Sequence, residues 1–214
     1  RVFEENGFKF DADPTVITVP HLLTELFEML GKKAEDYFEL VPIHPFFRVE
    51  FPDGTHFDYV GELKEILEQI RKFDPRDVEG YNKLVAHSKE IFEIGYEQLA
   101  HVSFAKPWDM IRVIPDLLRL KSYKSVYSLV ASYIKNDKLR QVFTFQPLLI
   151  GGNPFRVPGI YLLIHWIERK WGVHYAMGGT HAIIRAMEKA LMECGVEFHY
   201  NTPVKTLHMK AGKI

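Results

Sequence analysis

The sequence predicts a mixed fold, α+β or α/β, in which a mostly helical unit interrupts shorter strand-bearing stretches. Three observations carry this expectation: extended patterning near both ends, helical periodicity through roughly 100 central residues, and a hairpin signal ahead of that helical block. A single layered domain should interleave its elements more evenly.

Residues 8 to 18, FKFDADPTVIT, alternate before Asp-Ala-Asp-Pro and become β-branched after it. Two short extended segments should meet there at a rigid corner, because Pro14 fixes its own φ and keeps Asp13 out of the helical region. Such a corner is either a plain joint or the border of a site. Pro20 followed by His21 to Leu30 reads as a helix stopped by Gly31. Phe46 to Phe51 and Thr55 to Tyr59 flank Pro52-Asp53-Gly54, which has hairpin turn chemistry. Asp74-Pro75-Arg76-Asp77 supplies an N-cap, a first-turn Pro and a first-turn acid. Val78, Tyr81, Val85, Phe92, Tyr96 and Leu99 then mark one apolar face of a long helix. Pro107 and Pro115 punctuate further helices expected through Leu149. Helices are also expected over 160–171 and 181–192, with Gly195 as a stop, and strands over 196–200 and 204–207.

With 47% apolar and 26% charged residues among 214, the chain has enough material for a sizeable core and does not resemble a disordered one. A formal net charge of -1 disfavours nucleic-acid binding by bulk electrostatics. The single Cys194 excludes an internal disulfide and any multi-thiolate metal site. No apolar run approaches the roughly 18 to 20 residues that span a bilayer, so a soluble protein or one on a membrane surface is expected. The chain opens on Arg1 in mid-strand and stops at Ile214 after a turn-like Ala-Gly, which leads us to expect an internal piece of a longer protein.

Four stretches carry candidate chemistry. Met177-Gly178-Gly179-Thr180 precedes a helix, so it is either an ordinary helix-start turn or a place where bare backbone meets an electron-rich ligand. Gly151-Gly152-Asn153-Pro154-Phe155 is either a left-handed helix terminus or a close cover for a flat ligand. Asp137-Lys138-Leu139-Arg140 is either a pair along a helix or an arginine aimed into a cleft. From Lys106 to Tyr127, five cations alternate with Trp108, Ile111, Ile114, Leu117, Leu118 and Tyr123. That mixture suits an anionic membrane surface as well as a core helix. The ten histidines form no metal signature, and neither a G-x-S-x-G nor a P-loop is present.

Taken in order, FDADPTVIT, KFDPRDVEGYNKL, SVYSLVASYI, LRQVFTFQPLLIGGNPF, IYLLIHWIERKWGVHY and MGGT resemble the bacterial-type phytoene desaturases. These are FAD-dependent carotenoid desaturases related to the amine-oxidase flavoproteins. The resemblance implies part of a two-domain flavoprotein with an incomplete Rossmann-like FAD domain. Its implied division is 1–60 flavin-adjacent strands and the β-hairpin of the substrate region, 61–172 a mostly helical substrate and membrane-associated region, and 173–214 the return to the incomplete FAD domain. It implies FAD contacts at Asp13, Pro14, Thr15, Met177, Gly178, Gly179, Thr180 and Val204, no metal, and Asp137 with Arg140 as a catalytic pair. It further implies a hydrophobic polyene substrate, hydride transfer to flavin, and a cytoplasmic, peripherally membrane-associated protein with no nucleic-acid partner; oligomeric state is left open. The chain departs from the family at Asp13, where Gly is usual, which implies a retuned, impaired or differently specialised member, or a sequence error. Related carotenoid isomerases, oxygenases and diapophytoene desaturases, or a non-catalytic membrane-binding remnant, are the alternatives.

Overall fold

The computed structural model describes residues 2–12, 14–99, 102–103 and 105–209. The chain begins with strand β1 (Val2–Glu5) paired antiparallel with β2 (Phe8–Asp11). Asn6 and Gly7, both at positive φ, make the turn between them. After the Pro14 corner the chain stays extended, and Ile17 exchanges backbone hydrogen bonds with His174 at 3.0 and 2.8 Å. Helix α1 (Pro20–Met29) follows, started by its proline and ended near Gly31, as expected.

A short 3-10 turn (Ala34–Asp36) leads to β3 (Leu40–Pro42). The anticipated hairpin forms β4 (Phe47–Glu50) and β5 (His56–Tyr59), with Gly54 at a positive φ. One face is buried: Phe57 and Tyr59 point inward, and the Tyr59 ring stacks on Phe47 at 4.7 Å. The central helices are α2 (Leu63–Phe73), α3 (Asp77–Phe92), α4 (Pro107–Arg119), α5 (Val126–Tyr133) and α6 (Asp137–Phe143). Helix α3 runs on into a π-helical turn (Glu93–Gln98). The Asp74 carboxylate accepts the Arg76 N–H at 3.0 Å, but the helix itself begins at Asp77, so Asp74 organises the turn between α2 and α3. Pro115, expected to punctuate, lies inside α4; Pro107 starts that helix.

Two 3-10 segments (Gln146–Ile150 and Gly159–Leu162) precede α7 (Leu163–Trp171), β6 (His174–Ala176) and α8 (Thr180–Glu193). Strand β6 pairs antiparallel with β3 and meets Ile17 on its other side. Two buried clusters result. The larger gathers β5 and α2, α3, α5, α6 and α7 around Tyr59, Tyr81, Leu129 and Phe143. The smaller gathers α1, β6 and α8 around Phe27, Phe38, Ala176 and Ile183.

The expected strands at 196–200 and 204–207 do not form. Val196 to Met209 are exposed, and no described segment pairs with them. A β-favourable side-chain pattern makes a strand only where a neighbour takes its backbone N–H and C=O groups.

Candidate functional site

The smaller cluster supports a cleft of about 440 Å³ bordered by Lys9, Asp11, Tyr175, Gly178, Gly179, His181 and Arg185. Strand β6 delivers the chain to Met177-Gly178-Gly179, where both glycines take positive φ, 81° and 82°. That conformation suits glycine, and it sets Thr180 at the start of α8.

Opposite stands the end of β2. The Asp11 carboxylate accepts the Thr180 N–H at 3.2 Å, so it serves the α8 N-terminus as a cap from a distant part of the chain. A Cβ on Gly179 would lie 2.2 Å from Asp11 Oδ2, a distance no side chain tolerates. The Thr180 hydroxyl donates to the Pro14 carbonyl at 3.0 Å. Two of the stretches singled out in the sequence, the DADP corner and MGGT, therefore form one wall.

Among the expected cofactor contacts, Gly178 and Gly179 border the cleft, and Pro14 and Thr180 are bonded to each other. Thr15 and Met177 are exposed nearby in the chain, while Val204 is 81% exposed and does not border the cleft. Asp13 lies outside the described residues. Asp11, which sequence reading includes only as part of the corner, is the carboxylate that closes the wall. The bare Gly178 backbone leaves room for a flat ring, while the rim mixes Lys9, paired with Glu4 at 3.3 Å, with Asp11, His181 and Arg185.

Asp137 and Arg140 are brought together elsewhere, on α6. Arg140 Nη1 donates to Asp137 Oδ1 at 2.8 Å, and its Nε donates to the Ile134 carbonyl at 2.8 Å. The Asp137 side chain is 82% exposed and borders an open groove of about 730 Å³ that also meets Lys72, Lys138 and His56.

A third group of residues escaped the sequence reading. His165, Glu168 and Arg169 occupy one side of α7 and face Tyr59, Tyr81 and Gln146; His165 and Glu168 are buried and Arg169 is half-buried. His165 Nε2 faces the Phe143 carbonyl at 2.9 Å and so carries the proton, leaving Nδ1 to accept from Tyr59 OH at 2.9 Å. Burial pushes His165 down to about 4 and Glu168 up to about 7, since desolvation disfavours either charge. Arg169 donates to the Gly61 and Val60 carbonyls at 2.7 and 3.2 Å, tying α7 to the end of β5. Three polar residues at i, i+3 and i+4, on the side of the helix away from Leu163, Trp166 and Ile167, were the available signal.

Helix α4 has two apolar faces. Val113, and Leu120 just past the helix end, are buried, while Trp108, Ile111, Ile114 and Leu118 form an outward stripe, Trp108 at 62% and Leu118 at 58% exposure. Arg112, Arg119 and Lys121 are exposed beside it. Among the described residues, no helix is long and apolar enough to cross a membrane.

A glycine turn meeting a distant strand end over an open cleft offers bare backbone to a flat ligand. The model for flavin containing amine oxidoreductases matches residues 1–214, so the chain belongs to that family. It is 44% identical over 213 residues to the lycopene-forming phytoene desaturase of Pantoea ananas, covering 100% of this chain and 43% of that relative. It is 44% identical over 206 residues to the lycopene-forming phytoene desaturase of Pseudescherichia vulneris, covering 96% and 42%. Against the neurosporene-forming phytoene desaturase of Cereibacter sphaeroides the figures are 38% over 208 residues, 97% and 40%. The chain thus spans about two fifths of the length of the curated relatives it matches.

Proposed function

We propose that this chain belongs to an FAD-dependent desaturase that removes two hydrogens from adjacent carbons of a long polyene such as phytoene, within carotenoid biosynthesis. The observation that carries this reading is the junction of Thr180 with Pro14 and Asp11, across 166 and 169 residues, in a chain 44% identical throughout to phytoene desaturases.

FAD, when bound, takes up the hydride and its electron pair. The neighbouring carbon loses a proton, and the electrons of that C–H bond become the new double bond. The chain's own residues are proposed to hold and orient. Gly178 and Gly179 offer backbone without side chains, so a flat ring can lie close. Thr180 and Pro14 brace that surface from two segments, and Asp11 neutralises the α8 terminus. Thr15, Met177 and Val204 keep their proposed roles as cofactor contacts, as does Asp13.

Asp137 and Arg140 are proposed to steady developing charge or relay the lost proton. The guanidinium's bond to the Ile134 carbonyl fixes its direction, which supports a role that needs a defined orientation. The outward stripe of α4 with its flanking cations is proposed as a peripheral membrane-docking surface, which suits a substrate dissolved in bilayers. The two buried clusters support the proposed division into 1–60, flavin-adjacent strands with the hairpin of the substrate region, 61–172, a mostly helical substrate unit, and 173–214, the return to the FAD side. The β4–β5 hairpin packs with the helical side.

Product analysis tests the reading. The full-length protein, incubated with FAD and phytoene in liposomes, should yield polyenes absorbing at longer wavelength than phytoene. Recovery of unchanged phytoene from a flavin-loaded protein would contradict it.

A further inference from the structure

We propose that Asp77 is a positioning residue for the Asp137–Arg140 pair, an inference that rests on the catalytic reading of that pair. Asp77 opens α3, yet its side chain is fully buried. Its Oδ1 accepts the backbone N–H of Lys135 and its Oδ2 that of Asn136, each at 2.8 Å. With Ile134, those two residues make the three-residue connection from α5 to α6.

A carboxylate is the side chain suited to this task. It has an acceptor on each oxygen and no donor, so two successive N–H groups are held at once. A hydroxyl could serve one of them, and an apolar residue would leave both without a partner in the core. Asn would turn an amide N–H₂ toward one backbone N–H, two donors facing each other. Fixing two neighbouring amides sets the direction of the turn as well as its presence.

The same turn is gripped from three further sides. At Gly80, one helical turn beyond Asp77, a Cβ would lie 2.1 Å from the Tyr133 carbonyl, so α3 and the end of α5 meet backbone to backbone. Asn136 Oδ1 accepts the Lys138 and Leu139 N–H groups at 2.9 and 3.2 Å and so caps α6. Arg140 Nε returns to the Ile134 carbonyl. From Ile134 to Asn136 the backbone is therefore tied to Asp77 on one side and to Arg140 on the other. The orientation of Asp137, the next residue, follows from that clamp. Misplacing a reacting group by about 1 Å can cost on the order of a hundredfold in rate.

A double-mutant cycle in the full-length protein, assayed with phytoene in liposomes, separates positioning from general stability. Asp77→Asn should lower kcat on the order of tenfold, with KM within about twofold and flavin content unchanged. In an Arg140→Ala background it should change kcat by less than about twofold, because the geometry it maintains has already lost its user. Losses that multiply would overturn the inference and leave the pair's reading intact. Arg140→Ala at wild-type turnover would overturn the reading of the pair and the inference with it. Amide hydrogen exchange on the unmodified protein gives a check that needs no variant: the Lys135 and Asn136 amides should exchange as slowly as those of α3, and fast exchange would overturn the inference.

Discussion

The hydroxyl of Thr180 donates to the carbonyl of Pro14 at 3.0 Å, joining two segments 166 residues apart. Beside it the Thr180 N–H meets Asp11, and the two bonds make one wall from the end of β2 and the start of α8. Pro14 therefore has a use beyond turning the chain: its rigid corner presents a carbonyl at a fixed place.

The two glycines of that wall should respond differently to substitution. Both sit at positive φ, so Gly178→Ala and Gly179→Ala should each lose about 1 kcal/mol or more of stability from backbone strain. At Gly178 an added Cβ would meet Ala182 Cβ at an ordinary 3.6 Å, whereas at Gly179 it would strike Asp11. Gly179→Ala should thus cost a further 1–3 kcal/mol, roughly, as the Asp11–Thr180 contact is expelled, and should lose bound flavin. Flavin-to-protein ratio and thermal midpoint of the two variants test this; equal losses would remove Asp11 from the account.

The buried cluster on α7 predicts a specific dependence of stability on pH. Glu168, raised to about 7 from 4.5, contributes stability that is full below about 4.5 and is lost as pH rises toward 7. His165, lowered to about 4 from 6.5, contributes stability that is full above about 6.5 and is lost as pH falls toward 4. Between about 4.5 and 6.5 the native state holds one proton more at Glu168 and one fewer at His165, so the two slopes cancel. Arg169, Tyr59, Tyr81 and Gln146 face the same space. Glu168→Gln removes one slope. Its stability should rise with pH through that window, by about 1.4 kcal/mol per pH unit relative to the parent, in denaturant titrations.

Tyr59→Phe keeps the ring against Phe47 and deletes the O–H donated to His165. The buried imidazole nitrogen then keeps only the longer 3.4 Å contact with Gln146 Nε2, which should cost about 1 kcal/mol, read as a lower denaturation midpoint with unchanged slope.

The outward stripe of α4 yields a binding prediction. Trp108→Ser with Leu118→Ser should weaken association with anionic vesicles at least tenfold, as each loses an apolar anchor worth about 1.5–3 kcal/mol when buried. Raising salt should weaken the parent's binding through Arg112, Arg119 and Lys121. Sedimentation with liposomes measures both, and binding indifferent to the double substitution would remove α4 as the contact.

What the sequence made legible was local. The β4–β5 hairpin follows from Pro52-Asp53-Gly54, α1 from Pro20 and Gly31, and α8 from two glycines before an apolar periodicity. Asn6-Gly7 carried an equally strong hairpin signal that periodicity alone passes over. The β3–β6 pair was hidden because Leu40–Pro42 is three residues long and its partner begins at His174. Residues 196–207 have strand-like side chains, but the pattern does not say whether a partner exists. For the site, MGGT and DADP each read as ordinary turns with a functional alternative, and it is their meeting through Thr180 that distinguishes them. Asp77 read as a first-turn acid by its position; its bonds to Lys135 and Asn136 span 58 and 59 residues and leave no local trace.

The most direct test of the central claim is anaerobic bleaching of the flavin. The purified full-length protein is loaded with FAD, oxygen is removed, and phytoene in liposomes is added while visible absorbance is followed. The account predicts a yellow protein whose flavin band falls on addition of phytoene and stays unchanged with empty liposomes. A protein that binds liposomes but takes up no flavin, or whose flavin band ignores phytoene, would contradict it.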